Sequence, residues 1–207
     1  MQEERRPPVK QPRGAPVALE TERFRLRTLE PVDVGERMRS WMADAEIMSM
    51  VTGRAYEVSL DHLRRRVSQF DNRRRFMFGI FTRDPVIHIG NLTLFCDPEN
   101  LTAQTNIVVG EREWWGRNIV PETRAAVLDF AFEKLGIEKV WGVPFARNFP
   151  ALYNYKTQGF TCEGILRANK RLPDGTRVAT GSYNGQVGIY DAANGKVIRQ
   201  FVPVPLE

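Results

Sequence analysis

The stretch from Ala103 to Phe145 constrains the fold more than any other part of the chain. "AQTNIVVG" alternates as a strand does, and "PETRAAVLDFAFEKLG" has helical spacing, with Val127, Phe130, Ala131 and Leu135 on one face. "KVWGVPF" follows as a second strand. A strand–loop–helix–strand unit of this length closes as a right-handed crossover between parallel strands. The linking loop, "WWGRNIV", leads into Pro121, which is costly inside a helix, by about 3 kcal/mol, but at home in its first turn. The loop therefore turns into a helix N-terminus, where unpaired N–H groups and the helix dipole favour an anion. An ordinary capped helix after a tight turn is the alternative.

The rest of the pattern surrounds this unit. "FRLRTL" reads as a half-buried strand. Val34, Met38 and Trp41 mark a helix, followed by a second short helical piece. Ser59 is a candidate N-cap for a helix with Leu60, Leu63, Val67 and Phe70 on its apolar stripe. "RFMFGIFT" and "VIHIGNLTLFC" continue as strands into "AQTNIVVG". After the crossover comes a helix opened by Asn148 and Pro150 and stopped by Gly159. "FTCEGILRANKRL" then reads as a returning strand. The expected class is α/β with a mixed sheet, mostly antiparallel, holding one parallel pair.

Composition excludes several functions. Two cysteines, Cys96 and Cys162, and two histidines, His62 and His88, suggest neither a disulfide framework nor a metal centre. No apolar run approaches the length of a membrane span, and the N-terminus lacks a secretory signal, so a cytoplasmic location is expected. The formal charge of +5 favours anionic ligands. No nucleic-acid-binding signature accompanies it. The triplets Arg64–Arg66 and Arg73–Arg75 read as solvated faces, with a docking patch for an acidic protein or RNA as the alternative. His88 reads as a packed core histidine and Trp41 as core, with a place in an acceptor cleft as the alternative. Residues 1–17 form a Pro- and Arg-rich tail expected to be disordered.

"LETERFRLRTLEPVD", "IGNLTL", "IVVGEREWWGRNIVPETRAAVLDFAFEKLGIEKV" and "NFPALYNYKTQGF…EGILR" occur in an order and spacing that resemble the GNAT N-acetyltransferases of the Rim type, which acetylate protein N-termini and related amines. The resemblance covers residues 18–177. It implies the GNAT acyl-CoA N-acyltransferase fold: a twisted, mostly antiparallel sheet with a splayed parallel strand pair and flanking helices. It implies acetyl-CoA as co-substrate, with Gly116, Arg117, Asn118, Ile119 and Val120 wrapping its pyrophosphate. It places the backbone N–H groups of Val108 and Val109 at the thioester carbonyl. It places Tyr155 near the sulfur as general acid, with Asn148 near the CoA. For Val108 and Val109 plain sheet core is the bland alternative. For Tyr155 it is a half-buried helix tyrosine, and for Asn148 a simple helix cap.

This chain departs from the family at three positions. Glu113 stands where Gln or Arg is usual, Asn118 where Gly or Ala is usual, and Gln104 where Rim-type relatives often carry a glutamate base. Asn tolerates left-handed backbone angles, so the loop keeps its shape. A glutamine cannot take a proton, which favours an acceptor that is already neutral. An α-amine with pKa near 7.7–8.0 is neutral roughly 10% of the time at pH 7, a lysine below about 0.1%. The expected acceptor is a peptide N-terminal α-amine or a small-molecule or amino-sugar amine. Asp97, Glu99 and Glu111 are candidates to act through water.

Residues 178–207 depart from the family as a whole. "VATGSYNGQVGIYDAANGKVIRQF" looks like part of one WD-repeat blade, with turn signals at Asn184-Gly185 and Asn194-Gly195 and room for three short strands. One blade cannot bury both faces alone, so it packs on the acetyltransferase sheet, pairs with a second subunit in a homodimer, or is a chance likeness. A non-catalytic GNAT-fold module that binds a protein through these strands is the alternative to an enzyme.

Overall fold

The computed structural model describes residues 12–166, 177–181, 187–191 and 196–201. Six strands form the main sheet in chain order: β1 (Ala18–Glu20), β2 (Phe24–Thr28), β3 (Arg75–Thr82), β4 (His88–Asp97), β5 (Thr102–Val109) and β6 (Lys139–Trp141). Every neighbouring pair is antiparallel except β5–β6. That parallel pair is short, running from Thr102↔Lys139 to Gln104↔Trp141. Beyond Gln104, β5 continues from Thr105 to Val109 with no strand on that side among the described residues. The expected splayed parallel pair in a mostly antiparallel sheet is present.

Helices cover both faces. On one, α4 (Ile119–Asp129), prolonged by a π-helical turn at Phe130–Lys134, packs Val127 and Ala131 against Phe76, Phe78, Leu92, Leu94 and Ala103. On the other, α1 (Glu36–Ala43), α2 (Ala45–Ser49) and α3 (Leu60–Ser68) bury Met38, Trp41, Met48, Leu63 and Val67 against Leu29, Met77 and Phe81. Period-2 alternation along β5 sends Ala103, Ile107 and Val109 to the first core and Val108 to the second. Ser59 caps α3 through its side chain, accepting from the His62 N–H at 3.2 Å. Gly136, at φ +66, stops the prolonged α4. α5 (Phe149–Thr157) then carries Tyr155 back over the sheet.

Three observations refine the sequence reading. Pro12–Val17, assigned by composition to the tail, holds bonds to the sheet: Arg13 donates to Leu29 O, Gly14 N–H to Asp71 O, and Val17 N–H to Thr28 Oγ1. Residues 1–11 lie outside the described residues. The returning strand expected at "FTCEGILRANKRL" does not form over Phe160–Leu166; no strand among the described residues pairs with it, and residues 161–166 are exposed. The rest of that stretch lies outside the described residues. Near the C-terminus, β7 (Arg177–Gly181), β8 (Val187–Asp191) and β9 (Val197–Phe201) form a separate antiparallel meander. Its two Asn-Gly turn signals lie outside the described residues.

Candidate functional site

The loop after β5 is the first part of the site. Gly116 has φ +72 and Asn118 φ +55, so the left-handed conformation expected of Asn118 is present. A Cβ on Gly116 would meet nothing within 4 Å, which leaves that side of the loop open. The helix begins at Ile119, two residues before Pro121, and Pro121 sits in its first turn. Asn118 makes no side-chain cap, and the N–H groups from Gly116 to Val120 donate to no described residue. Unpaired amides converging at a helix start are the donor set that a phosphate requires. Arg117 is exposed and in no ion pair among the described residues, its guanidinium 5.5 Å from the Trp114 ring centroid. Ile119 turns its side chain into the core at 2% exposure, so it can offer only its amide.

The turn between β1 and β2 fastens this loop. Glu122 accepts from the Thr21 hydroxyl at 2.7 Å and from Arg23 N–H and Nε at 2.9 and 2.7 Å. Arg23 also donates to the Arg117 carbonyl at 2.9 Å. Burial works against the Glu122 carboxylate, but these donors outweigh it and hold its pKa below the usual range. Arg23, Asn118, Pro121, Glu122, Tyr153 and Asn154 border a groove between α4 and α5.

The second part is the open edge of β5. Gly110 N–H donates to Ile89 O at 2.9 Å, so Ile89 and Gly110 form a hydrogen-bonded pair. Antiparallel pairs alternate, making Asn91↔Val108 the next bonded pair and Gly90↔Val109 a non-bonded one. Val108 thus commits its amide to β4, while Val109 directs its own N–H and C=O to the side that β6 has left. The Val109 carbonyl accepts from Trp115 Nε1 at 2.9 Å. The Thr105 carbonyl, facing the same way, accepts from the Tyr155 hydroxyl at 3.3 Å.

Tyr155 reaches this gap because Gly142 follows β6: a Cβ there would overlap the tyrosine hydroxyl. The Tyr155 ring meets Phe160 edge-on at 4.9 Å. Beneath it lies Arg124, 1% exposed, with its guanidinium carbon 4.1 Å from the ring centroid. Arg124 Nη1 donates to Gln158 Oε1 at 2.9 Å, and Gln158 Nε2 donates to Pro121 O at 3.0 Å. Arg124 Nε has no partner, and Arg124 is in no ion pair among the described residues. Burial raises the Tyr155 pKa, and the Arg124 charge opposes that rise. Burial lowers that of Arg124. Arg124 shares a stripe with Val127 and Ala131, at i+3 and i+7, so its burial was open to reading from helical spacing.

Asn148 does what a cap does. Its side chain accepts from Ala151 N–H at 3.1 Å, and its Nδ2 donates to Met50 O. Arg147 beside it donates to Ser49 O at 2.8 Å, so the start of α5 is tied to the end of α2.

A second groove lies between α1–α2 and Gly110–Glu113. The two are alike in volume, about 330 and 340 Å³, so size does not choose between them. Here Asp44, Glu111 and Arg112 are engaged. Glu111 accepts from Trp41 Nε1 at 3.0 Å and pairs with Arg37 at 2.9 Å. Asp44 caps α2 and pairs with Arg112 at 2.8 Å. Trp41, at 2% exposure, is core as expected, yet it also lines this groove and lies against Gly110, where any Cβ would strike its indole. Glu113 belongs to this groove, whereas Asn118 borders the other.

Other candidates fall elsewhere. His88 stacks on Phe81 at 4.7 Å and bonds Gly90 O and Asn91 Oδ1; burial lowers its pKa, as for a packed core histidine. Asp97 and Glu99 sit in the β4–β5 turn, where Asp97 accepts from Glu99 and Asn100. Thr102, beside that turn, lies roughly 23 Å from Val109 at about 3.3 Å per residue, too far for either to reach the Val109 end of the open edge. Gln104 lies among the paired residues beside Trp141, one position before Thr105, whose carbonyl holds the Tyr155 hydroxyl. Among the described residues no cluster of three or more His, Cys, Asp or Glu could hold a metal, and no helix is long and apolar enough to cross a membrane.

The Acetyltransferase (GNAT) domain profile matches residues 23–161, ending before β7. No curated protein matches the chain. Solved structures share the fold. A GNAT-family acetyltransferase from Bacillus anthracis superposes with TM-score 0.66 at 15% identity, covering 76% of this chain and 92% of that one. Spermidine N-acetyltransferase from Vibrio cholerae, in complex with CoA and spermine, gives 0.64 at 23%, covering 70% and 85%. Ribosomal-protein-S5-alanine acetyltransferase from Vibrio fischeri gives 0.66 at 15%, covering 75% and 89%. A parallel pair that splays beside unpaired loop amides, with the domain profile spanning both, shows that the chain belongs to the GNAT family and is an acetyl-CoA-dependent N-acetyltransferase.

Proposed function

We propose that acetyl-CoA lies along the α4–α5 groove, with its pyrophosphate on the amides of Gly116–Val120 and its thioester at the open edge of β5. The observation that carries this reading is the ladder alternation that leaves the Val109 N–H facing the gap into which Tyr155 reaches. The fit is chemical: amides without partners suit a diphosphate, and an open strand edge suits the amides of a pantetheine arm. Arg117 adds a charge-assisted contact to phosphate.

Acetyl-CoA supplies an activated acyl group on a good leaving thiol. The Val109 N–H stabilises charge developing on the carbonyl oxygen. Tyr155 gives its proton to the departing sulfur. Val108 serves as sheet core, its amide held by β4, and Asn148 acts by fixing the start of α5.

The acceptor in this reading is an amine of low pKa, a peptide N-terminal α-amine or a small amino-sugar-like amine. Two carboxylates of the second groove, Asp44 and Glu111, are each bound to an arginine. The Vibrio fischeri neighbour is named for a ribosomal-protein alanine and the Vibrio cholerae one for spermidine, so the fold by itself does not choose the acceptor. A panel of alanine-initiated peptide, glucosamine, spermidine and lysine peptide separates them at pH 7. Preference for the first two is expected; strong preference for lysine or spermidine overturns the assignment. Tyr155→Phe should lower kcat about 10-fold, below the roughly 100-fold or more usual for general acid catalysis because a phenol is a weaker acid than a thiol, with little change in acetyl-CoA KM.

A further inference from the structure

A buried arginine needs an anion, and the described residues supply none for Arg124. It is 1% exposed, its Nε is unpaired, and its polar contact is the neutral Gln158 amide. An uncompensated buried cation is among the costliest groups a fold can hold. Among the described residues, the titratable group acting on it is Tyr155, and the one acting on Tyr155 is Arg124. The guanidinium lies 4.1 Å from the ring centroid, while the hydroxyl at the other end of the ring enters the β5–β6 gap.

We propose that Arg124 is a positioning residue for acetyl transfer, holding the Tyr155 ring in the gap and stabilising the phenolate that forms when the hydroxyl gives up its proton. This rests on the reading of Tyr155 as general acid. The amine nitrogen bonds to the acyl carbon and the C–S bond breaks. The electron pair left on sulfur takes the Tyr155 proton, and the phenolate remains beside the cation. The acylated nitrogen sheds a proton to water, and water returns one to Tyr155. The net change is amine plus thioester to amide plus thiol. A free phenol is a weaker acid than a thiol, about pKa 10 against 8.5, so donation is uphill without help. A cation held against the ring in a dry site moves that balance toward the phenolate and also steers the ring.

Two readouts test it on the full chain. Ultraviolet titration of tyrosinate, taken as the difference between each enzyme and its Tyr155→Phe counterpart, isolates one of the five tyrosines. With Arg124→Met the midpoint should rise by about one pH unit or more, and with Arg124→Lys it should stay near the parent value. Arg124→Gln, which is neutral yet able to hydrogen-bond, carries the same expectation should the methionine variant fail to fold. Kinetically, Arg124→Met should lower kcat about 10-fold at unchanged acetyl-CoA KM, with no further loss when added to Tyr155→Phe. An unmoved midpoint, losses that add, or a lysine variant as slow as the neutral ones overturns the role of Arg124. A fully active Tyr155→Phe enzyme overturns the reading of the tyrosine instead, whatever the titration shows.

Discussion

The two grooves beside β5 are nearly equal in volume and opposite in chemistry. On the α1–α2 side, Arg37, Asp44, Arg112, Glu111 and the Trp41 indole are bound to one another. On the α4–α5 side, among the described residues, five successive amides from Gly116 to Val120 lack partners, a strand edge is open, and an arginine lies buried without a carboxylate. Folding has satisfied the first groove and left the second unfinished. Unsatisfied groups are costly, and they persist where a ligand completes them. Concavity alone does not identify a binding site; the state of its hydrogen bonds does.

The contrast can be broken most forcefully at Trp41. Truncating a nearly fully buried tryptophan costs about 3–5 kcal/mol, so Trp41→Ala should lower the thermal midpoint sharply while the fraction still folded keeps its acetyl-CoA affinity. Calorimetry with a ligand titration at reduced temperature reads both, and a large affinity loss at unchanged midpoint would reverse the roles of the two grooves. Gly116→Val asks the converse. A β-branched residue in the left-handed region costs about 1–2 kcal/mol in stability, but its main effect should be an acetyl-CoA KM raised at least about 10-fold by blocking close approach to the amides.

A smaller effect is expected at Asp71, far from either groove. Its carboxylate accepts from the N–H groups of Arg73, Arg74 and Arg75, each at 2.9 Å. Burial opposes ionisation, but these donors hold the pKa below the usual carboxylate value. A lowered folded pKa adds stability above the unfolded value near 3.9, and that stability is lost as pH falls through the folded one. Asp71→Asn should therefore cost about 1 kcal/mol at pH 7 and progressively less below pH 4, by urea unfolding across pH, without changing turnover. The smallest effect belongs to Arg23→Ala. It should raise acetyl-CoA KM only a few-fold, since a half-exposed ion pair contributes little while the loop it steadies retains its own amides.

Legibility in the sequence followed local determinism. The crossover unit, the Ser59 cap, the Gly136 stop and the left-handed Asn118 depend on neighbours within a few residues, and periodicity and turn chemistry exposed them. β1 has three residues of intermediate or full exposure and forms because β2 offers an edge, so no alternation announced it. The expected strand after Gly159 had the right residues but no partner beside it over Phe160–Leu166. The second arginine triplet is the exposed surface its charge implied, and its backbone N–H groups also converge on one carboxylate, which no charge pattern announces. Separating Val108 from Val109 required the ladder register, which depends on a bond between Gly110 and Ile89, 21 positions apart. Arg124 lay in plain view on an apolar stripe, but its meaning came only with the aromatic ring that α5 sets above it.

The bonds from Arg147 to Ser49 O and from Asn148 to Met50 O have a mechanical consequence. They rivet the root of the helix that bears Tyr155 to the far end of α2, whose first residues border the opposite groove. A molecule prying at α2 therefore strains two rivets before it can shift the helix end, and whatever displacement gets through arrives at the phenol. The two bonds thus tie an element bordering one cavity to the helix that borders the other.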